Sequence, residues 1–143
     1  MSRSPAPDWI LYSDGASRGN PGPAGYGSYL VDQRSGAIVE LSGYLGIATN
    51  NVAEYQGLLA GLRYVLAHGG GRVAIRADSQ LLVRQLEGRY QVKHPRLIPL
   101  YRDAMALLAR TVGWTASHVP REQNRDADRL ANRGIDEHDR RAR

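Results

Sequence analysis

The stretch TNNVAEYQGLLAGLRYVLAHGGGRVAIRADS, residues 49–79, changes its periodicity partway along and thereby decides the fold class. Up to Leu66, apolar side chains recur every three or four residues, which predicts a helix that Thr49 or Asn50 caps. Three glycines then end the helix, and the alternation in RVAIRA, residues 72–77, predicts a short strand that ends at Asp78. A helix followed directly by a strand indicates an α/β protein.

The segments on either side extend this pattern to a whole domain. Before residue 49, runs separated by short turns predict an antiparallel meander of three strands (9–13, 25–32 and 38–46). After the strand at 72–77, the pattern predicts two helices, a fifth strand and a last helix (79–87, 99–110, 112–119 and a helix that follows Arg121). Because strands four and five each follow a helix, they can join the meander by crossovers as parallel strands. The predicted fold is a five-stranded mixed sheet flanked by helices.

The composition favours one domain with a polyanionic partner. A chain of 143 residues is expected to form a single domain over residues 1–143, with frayed ends at about 1–7 and 138–143. The net charge is +5, and every basic residue except Lys93 is arginine, which suits phosphate oxygens but is also compatible with genomic base composition. The absence of cysteine excludes disulfides and zinc thiolate sites, and no apolar run approaches the ~20 residues of a membrane span. We therefore expect a cytoplasmic protein that does not bind membranes.

Four acids lie at predicted element boundaries. Asp14 ends strand one, Glu54 lies in the opening turns of the first long helix, Asp78 ends strand four, and Asp128 lies early in the last helix. If strands one and four are neighbours, Asp14 and Asp78 leave the sheet at one edge, where the helix can add Glu54. Carboxylates gathered in this way need cations between them, and Mg²⁺ prefers oxygen ligands. The alternative is that each acid is a helix cap or solvated turn residue, as we expect for Asp126.

The glycine-rich stretch YSDGASRGNPGPAGYG, residues 12–27, is open to three interpretations: a metal site, a phosphate cradle or a turn. A cradle of the nucleotide-binding type requires a helix directly after the glycines, and a strand is predicted there instead. We therefore interpret Asp14 as a metal ligand, residues 15–20 as a loop that a substrate backbone can approach, and residues 21–27 as a hairpin turn.

Four sequence blocks together resemble the signature of type 1 ribonuclease H. They are YSDGASRGNPGPAGYG (12–27), TNNVAEYQGLLAGL (49–62), RADSQLLVRQL (76–86) and HVPREQNRDADRLAN (118–132). They occur in the order of that family and extend the resemblance from about Trp9 to Asp136. The resemblance implies a ribonuclease H-like fold and an endoribonuclease that hydrolyses the RNA strand of RNA–DNA hybrids.

The resemblance also implies a catalytic mechanism and its residues. The four acids Asp14, Glu54, Asp78 and Asp128 match those that bind two Mg²⁺ or Mn²⁺ ions in the family. Asp14 is expected to contact both ions, with Glu54 and Asp78 on one and Asp128 on the other. Water then attacks the phosphodiester in line and leaves 5′-phosphate and 3′-hydroxyl ends.

Polar and small residues of the same blocks match family positions that contact the minor groove of the hybrid. Amide side chains suit this groove because they both donate to and accept from 2′-hydroxyls. Asn20 is alternatively a turn former before Pro21, and Asn50 a helix cap. The expected substrate-binding residues are Gly15, Ala16, Asn20, Asn50, Asn51 and Gln80.

Two departures from the best-known bacterial pattern refine the comparison. The segment from Gly88 to Ile98 is too short for the basic, tryptophan-bearing protrusion that grips the DNA strand, so the chain resembles the protrusion-less, archaeal-like branch. Its weaker expected grip on DNA leaves cleavage of double-stranded RNA open. In the loop before Asp128, where many relatives carry a mobile histidine, either Arg121 or His118 is available as a catalytic residue, and we favour Arg121.

Two other functions remain open from the sequence. The chain is alternatively a catalytically weak or inactive module that binds hybrids or double-stranded RNA, or the ribonuclease H domain of a reverse transcriptase-like element. Retention of all four acids argues against an inactive module, because like charges repel one another without a cation to bind. A monomer is expected.

Overall fold

The computed structural model describes residues 5–142 and confirms the predicted order of elements. The elements are β1 (Trp9–Ser17), β2 (Gly22–Asp32), β3 (Ile38–Ala48), α1 (Asn50–Ala67), β4 (Arg72–Ala77), α2 (Gln80–Leu86), α3 (Leu97–Ala109), β5 (Gly113–His118) and α4 (Arg125–Arg141). A single 3₁₀ turn at Arg121–Gln123 precedes α4. Among the described residues, no helix combines the length and apolar character needed to cross a membrane.

The five strands form one mixed sheet in the order β3-β2-β1-β4-β5. The pairs β1–β2 and β2–β3 are antiparallel, whereas β4 is parallel to both β1 and β5. The predicted fold class is confirmed. In the β1–β4 register Ser13 lies opposite Ala77, so Asp14 and Asp78, the next residues along the two strands, lie side by side.

Helices cover both faces of the sheet. On β2, the Ser28 hydroxyl donates to the Gly57 carbonyl of α1, while the backbone of the adjacent Gly27 lies against Ala127 of α4. Because consecutive residues of a strand face opposite sides, α1 and α4 lie on opposite faces. Helices α2 and α3 contribute to the same hydrophobic core as α1.

The helix α1 begins and packs as its sequence predicts. The Thr49 hydroxyl caps it by accepting a hydrogen bond from the Val52 amide at 3.3 Å, which decides between the two predicted caps. Its apolar stripe is fully buried against the sheet (Leu58, Leu59, Leu62 and Val65). Burial of each such side chain contributes roughly 1.5–3 kcal/mol.

The glycine-rich stretch forms more strand than the sequence predicts. The strand β1 continues to Ser17 and β2 already begins at Gly22, so the interpretation of residues 21–27 as a turn is wrong and only residues 18–21 connect the strands. The antiparallel β1–β2 ladder, which runs to Ser17 opposite Ala24, supplies the hydrogen bonds that override the low strand propensity of glycine.

The last helix continues almost to the end of the described residues. The helix α4 extends to Arg141, and the His138 ring stacks on Tyr44 of β3 with 3.6 Å between ring centroids. Fraying of residues 1–7 and 138–143 stays a prediction, and of these residues 1–4 and 143 lie outside the described range. Residues 87–96, between α2 and α3, form turns and extended loop, in agreement with the expected lack of a helical protrusion.

Candidate metal centre

Three of the four predicted acids meet at one edge of the sheet. Asp14 lies in β1, Asp78 directly follows β4, and Glu54 lies in the second turn of α1. One carboxylate oxygen from each lies within 4.8 Å of the other two. The prediction that Asp14 and Asp78 leave neighbouring strands at the same edge is confirmed.

Close packing of α1 on β1 brings Glu54 to this edge. A Cβ at Gly15 would lie only 2.3 Å from the Ala53 carbonyl carbon and the Glu54 amide nitrogen, so the helix backbone occupies the space of the missing side chain. Gly15 therefore serves the packing of α1. The contact with substrate predicted for Gly15, which also lines the cleft with the acids, stays a prediction.

Asp128 approaches the same centre from the opposite face of the sheet. The helix α4 that carries it packs closely on β2, where a Cβ at Gly27 would lie 2.2 Å from the Ala127 carbonyl oxygen. The charge of Asp128 raises the pKa values of both Asp14 and Asp78. Asp128 is thus electrostatically part of the centre, although it lies outside the group of three whose oxygens are within 4.8 Å.

Burial and mutual repulsion hold these carboxyls towards the neutral form. Burial, followed by the charge of Asp78, raises the pKa of Asp14 to about 8, and only 6% of Asp14 is exposed. Burial likewise raises the pKa of Glu54 to about 7, against a hydrogen bond with the Ser79 side chain that lowers it. The pKa of Asp78 is raised by burial and by Asp128, while the Arg121 guanidinium lowers it.

This donor set fits divalent cations. The ligands are carboxylate oxygens, the kind that Mg²⁺ and Mn²⁺ prefer, and no soft sulfur ligand is present. Their raised pKa values show that their negative charge is poorly compensated by the protein alone. A cation bound among them would remove this repulsion, so the residues fit the predicted metals.

The acids lie at the bottom of an open cleft of about 550 Å³. Of the six predicted substrate-binding residues, Gly15, Ala16 and Asn50 line this cleft. Asn20 lies next to the cleft, since its side-chain oxygen accepts a hydrogen bond from the backbone amide of Asn50 at 3.0 Å. Exposed Asn51 and Gln80 lie in the first turns of α1 and α2, outside the residues that line the cleft.

Both candidates for the additional catalytic residue line the cleft. His118 is the last residue of β5, and Arg121 begins the 3₁₀ turn that leads towards α4. Both are exposed. Arg121 also acts on the acids, because its guanidinium lowers the pKa of Asp78.

Several residues of the site were not predicted from the sequence. Arg18 and Asn132 line the cleft and are hydrogen-bonded to each other at 3.2 Å, and Arg18 forms an ion pair with Asp136 at 2.8 Å. Ser79 caps α2 by accepting from the Leu82 amide, and its side chain lowers the pKa of Glu54. No local pattern marks Arg18, but the cap position of Ser79, next to Asp78, was a detectable signal.

Known proteins resemble this chain along most of its length. Residues 12–134 match the family model described as reverse transcriptase-like. The bifunctional protein Rv2228c of Mycobacterium tuberculosis is 46% identical over 128 residues, which cover 89% of this chain and 35% of that protein. Ribonuclease HI of Halobacterium salinarum is 43% identical over 126 residues, which cover 88% of this chain and 63% of that protein. The chain thus spans well under two thirds of the first relative and slightly less than two thirds of the second.

Solved structures agree with this similarity. The N-terminal ribonuclease H domain of Rv2228c, solved as a fusion with maltose-binding protein, has a TM-score of 0.85 at 44% identity and covers 89% of this chain and 98% of that one. The crystal structure of the Halobacterium salinarum enzyme gives 0.85 at 43% identity, with 90% and 98% covered. LC11-RNase H1 in complex with an RNA/DNA hybrid gives 0.85 at 39% identity, with 91% and 98% covered.

Proposed function

The chain belongs to the type 1 ribonuclease H family, and on this premise we propose that it is a metal-dependent endoribonuclease that hydrolyses the RNA strand of RNA–DNA hybrids. The observation that carries the proposal is the convergence of Asp14, Glu54 and Asp78 within 4.8 Å, from three separate elements, at the bottom of an open cleft. Because one of these acids is buried and two are half-buried, all with raised pKa values, they destabilise the fold unless a cation binds among them.

Asp14, Glu54, Asp78 and Asp128 would hold the catalytic cations, two Mg²⁺ or Mn²⁺ ions. Two such ions supply the positive charge that stabilises both the attacking and the leaving oxygens of a phosphodiester. Asp14 and Glu54 must give up their protons to act as ligands, because their pKa values lie at about 8 and about 7. The products are 5′-phosphate and 3′-hydroxyl ends.

The substrate lies across the cleft above the acids. Asn20 and Asn50, joined by their hydrogen bond, present amide groups at the cleft edge, where 2′-hydroxyls and base edges of an A-form-like duplex are within reach of such side chains. LC11-RNase H1, a relative of known structure, was solved with an RNA/DNA hybrid. We place Gly15, Ala16, Asn51 and Gln80 in the same substrate contact. Cleavage of double-stranded RNA, which the lack of a helical protrusion leaves open, is measured in the assay below.

One cleavage assay tests this proposal. Labelled hybrid, RNA duplex and DNA duplex are incubated with wild-type protein in Mg²⁺, Mn²⁺ or EDTA, beside Asp14→Asn and the control Asp103→Asn, which alters an exposed acid on α3. We expect wild type and Asp103→Asn to cleave hybrid RNA in either metal and to leave 5′-phosphate on the products. We expect no cleavage by Asp14→Asn, and no cleavage by any protein in EDTA. Hybrid binding without metal-dependent cleavage would instead make the chain a binding module. Equal cleavage of the DNA duplex would refute the hybrid specificity.

Arg121 is the residue that we propose to assist turnover. Its guanidinium lies at the cleft, acts on Asp78 and can bind phosphate oxygens through two parallel hydrogen bonds. Arg121→Ala is therefore expected to lower kcat by about 10-fold or more, as loss of a charge-assisted hydrogen bond in the transition state does. His118→Ala is expected to leave kcat within a factor of about two. If His118→Ala were instead slower than Arg121→Ala, in both single-turnover and steady-state rates, the role would belong to His118.

We further propose that residues 1–143 act as one ribonuclease H domain, as a monomer, in the cytoplasm. The cysteine-free composition is compatible with a reducing compartment. The net charge of +5 favours association with a polyanion, so hybrid affinity should fall as salt concentration rises.

A further inference from the structure

Asn124 occupies the N-cap position of α4 but does not cap the helix. Asparagine is among the best N-cap residues because its side-chain oxygen accepts from the first helical amides. Thr49 and Ser79, the corresponding residues of α1 and α2, cap their helices in this way at 3.3 and 3.1 Å. The Asn124 side chain makes no such bond, although it is 99% buried. The Asn124 side chain therefore makes a different contact in place of a helix cap.

That contact is with the strand that carries Asp14. The Asn124 side-chain nitrogen donates to the Ser13 carbonyl at 3.0 Å, across 111 residues of sequence. Ser13 directly precedes Asp14 and lies opposite Ala77, which directly precedes Asp78. A single buried amide is thus hydrogen-bonded to the end of the β1–β4 ladder from which Asp14 and Asp78 leave the sheet.

The backbone of Asn124 connects the remaining parts of the site. Its carbonyl accepts a hydrogen bond from the Asp128 amide at 3.1 Å, in the first turn of α4. Its own amide donates to the Arg121 carbonyl at 3.0 Å. The residue therefore joins β1 to the turn that carries Arg121 and to the helix that carries Asp128.

We propose that Asn124 is a positioning residue for the metal centre: it holds Asp14, Asp78 and Asp128 in the relative arrangement that divalent cations require. The inference rests on the proposed function of the centre as a metal site. Its side-chain oxygen has no hydrogen-bond partner among the described residues, and such a buried orphan is destabilising in a residue with a merely structural role. Residues that orient metal ligands from behind typically change metal affinity about 10–100-fold when they are replaced.

Direct measurement of metal binding tests the proposal without relying on activity. Mn²⁺ binding to the hybrid-free protein is measured by calorimetry for wild type, Asn124→Ser and Val65→Ala. Serine keeps a hydroxyl that can cap α4 but lacks the amide that reaches Ser13. Val65→Ala is the control for stability loss alone, because Val65 is buried in α1 eleven residues beyond Glu54, about 16 Å along the helix.

We expect Asn124→Ser to raise the Mn²⁺ dissociation constant about 10-fold or more, and Val65→Ala to change it less than about twofold at an equal or larger loss of thermal stability. Hybrid cleavage by Asn124→Ser should recover as Mn²⁺ is increased, with KM for hybrid unchanged. Wild-type Mn²⁺ affinity in a folded Asn124→Ser protein would overturn the proposal. Loss of the folded state, seen by circular dichroism, would also overturn it by making Asn124 a folding residue. Failure of the proposed function can be told apart from failure of this inference, because wild-type protein would then not cleave the hybrid.

Discussion

Replacement of Asp14 by asparagine should abolish cleavage and at the same time stabilise the metal-free protein. The side chain is 6% exposed, and burial with the charges of Asp78, Asp128 and Glu54 raises its pKa from 3.8 to about 8. Asparagine keeps the shape and the oxygen that accepts from the Gly15 amide at 2.9 Å, but it carries no charge. The buried amide can also donate to the neighbouring carboxylates, which removes part of their repulsion.

The expected gain follows from the proton that Asp14 takes up on folding. In the unfolded chain the carboxyl ionises above 3.8, whereas in the folded protein it stays protonated up to about 8, so metal-free stability falls as pH rises between these values. At about 1.4 kcal/mol per pH unit, this burden on the free energy of unfolding is about 4 kcal/mol at pH 7 and about 1 kcal/mol at pH 4.5. Asp14→Asn should therefore gain up to about 4 kcal/mol at pH 7 and much less at pH 4.5.

Urea unfolding followed by circular dichroism in EDTA, at both pH values, measures this gain. Asp103→Asn, an exposed acid on α3, is the control and should stay within about 0.5 kcal/mol of wild type. Saturating Mg²⁺ should then stabilise wild type and reduce or reverse its disadvantage against Asp14→Asn, because bound cations compensate the repulsion. An Asp14→Asn protein no more stable than wild type at pH 7, or a gain of the same size at pH 4.5, would refute the electrostatic reasoning.

Three further predictions address the packing and the chemistry around the acids. Gly15→Ala places a methyl group 2.3 Å from the α1 backbone and should lower the free energy of unfolding in urea by about 1–3 kcal/mol, whereas Gly113→Ala, which meets only the flexible side chain of Arg72, should change it far less. Mn²⁺ affinity should rise between pH 6 and pH 8, with proton release in calorimetry, because the pKa values of two acids lie at about 7 and about 8 and both protons must leave; an affinity independent of pH would contradict these protonation states. Tyr55→Phe removes the 2.7 Å hydrogen bond to the buried Gln85 oxygen and should lower the free energy of unfolding in urea by about 1–3 kcal/mol. The double variant Tyr55→Phe/Gln85→Leu should recover part of this stability, because it no longer buries an unpaired polar group.

Much of the fold was predictable because local pattern and global packing agree in this chain. The apolar stripe of α1 and the alternation in β4 lie in the elements that they predict, and the order of elements led to the mixed sheet. The limits of β1 and β2 were not predictable, since glycine disfavours strands locally and only the β1–β2 ladder compensates for it. The packing role of Gly15 was not predicted for a related reason: the α1 backbone against which it lies is 38 residues away in sequence.

The sequence by itself determined the element order, the mixed sheet and the choice of four acids. Hydrophobic periodicity is a property of neighbouring residues, and the four acids were chosen from the resemblance of the sequence blocks to the ribonuclease H family. Only the tertiary structure decided which carboxylates lie within 4.8 Å, how far burial raises their pKa values, and that Asn124 reaches across to Ser13 instead of capping its own helix. Desolvation and repulsion between charges depend on distances between residues far apart in the chain, and folding alone sets those distances.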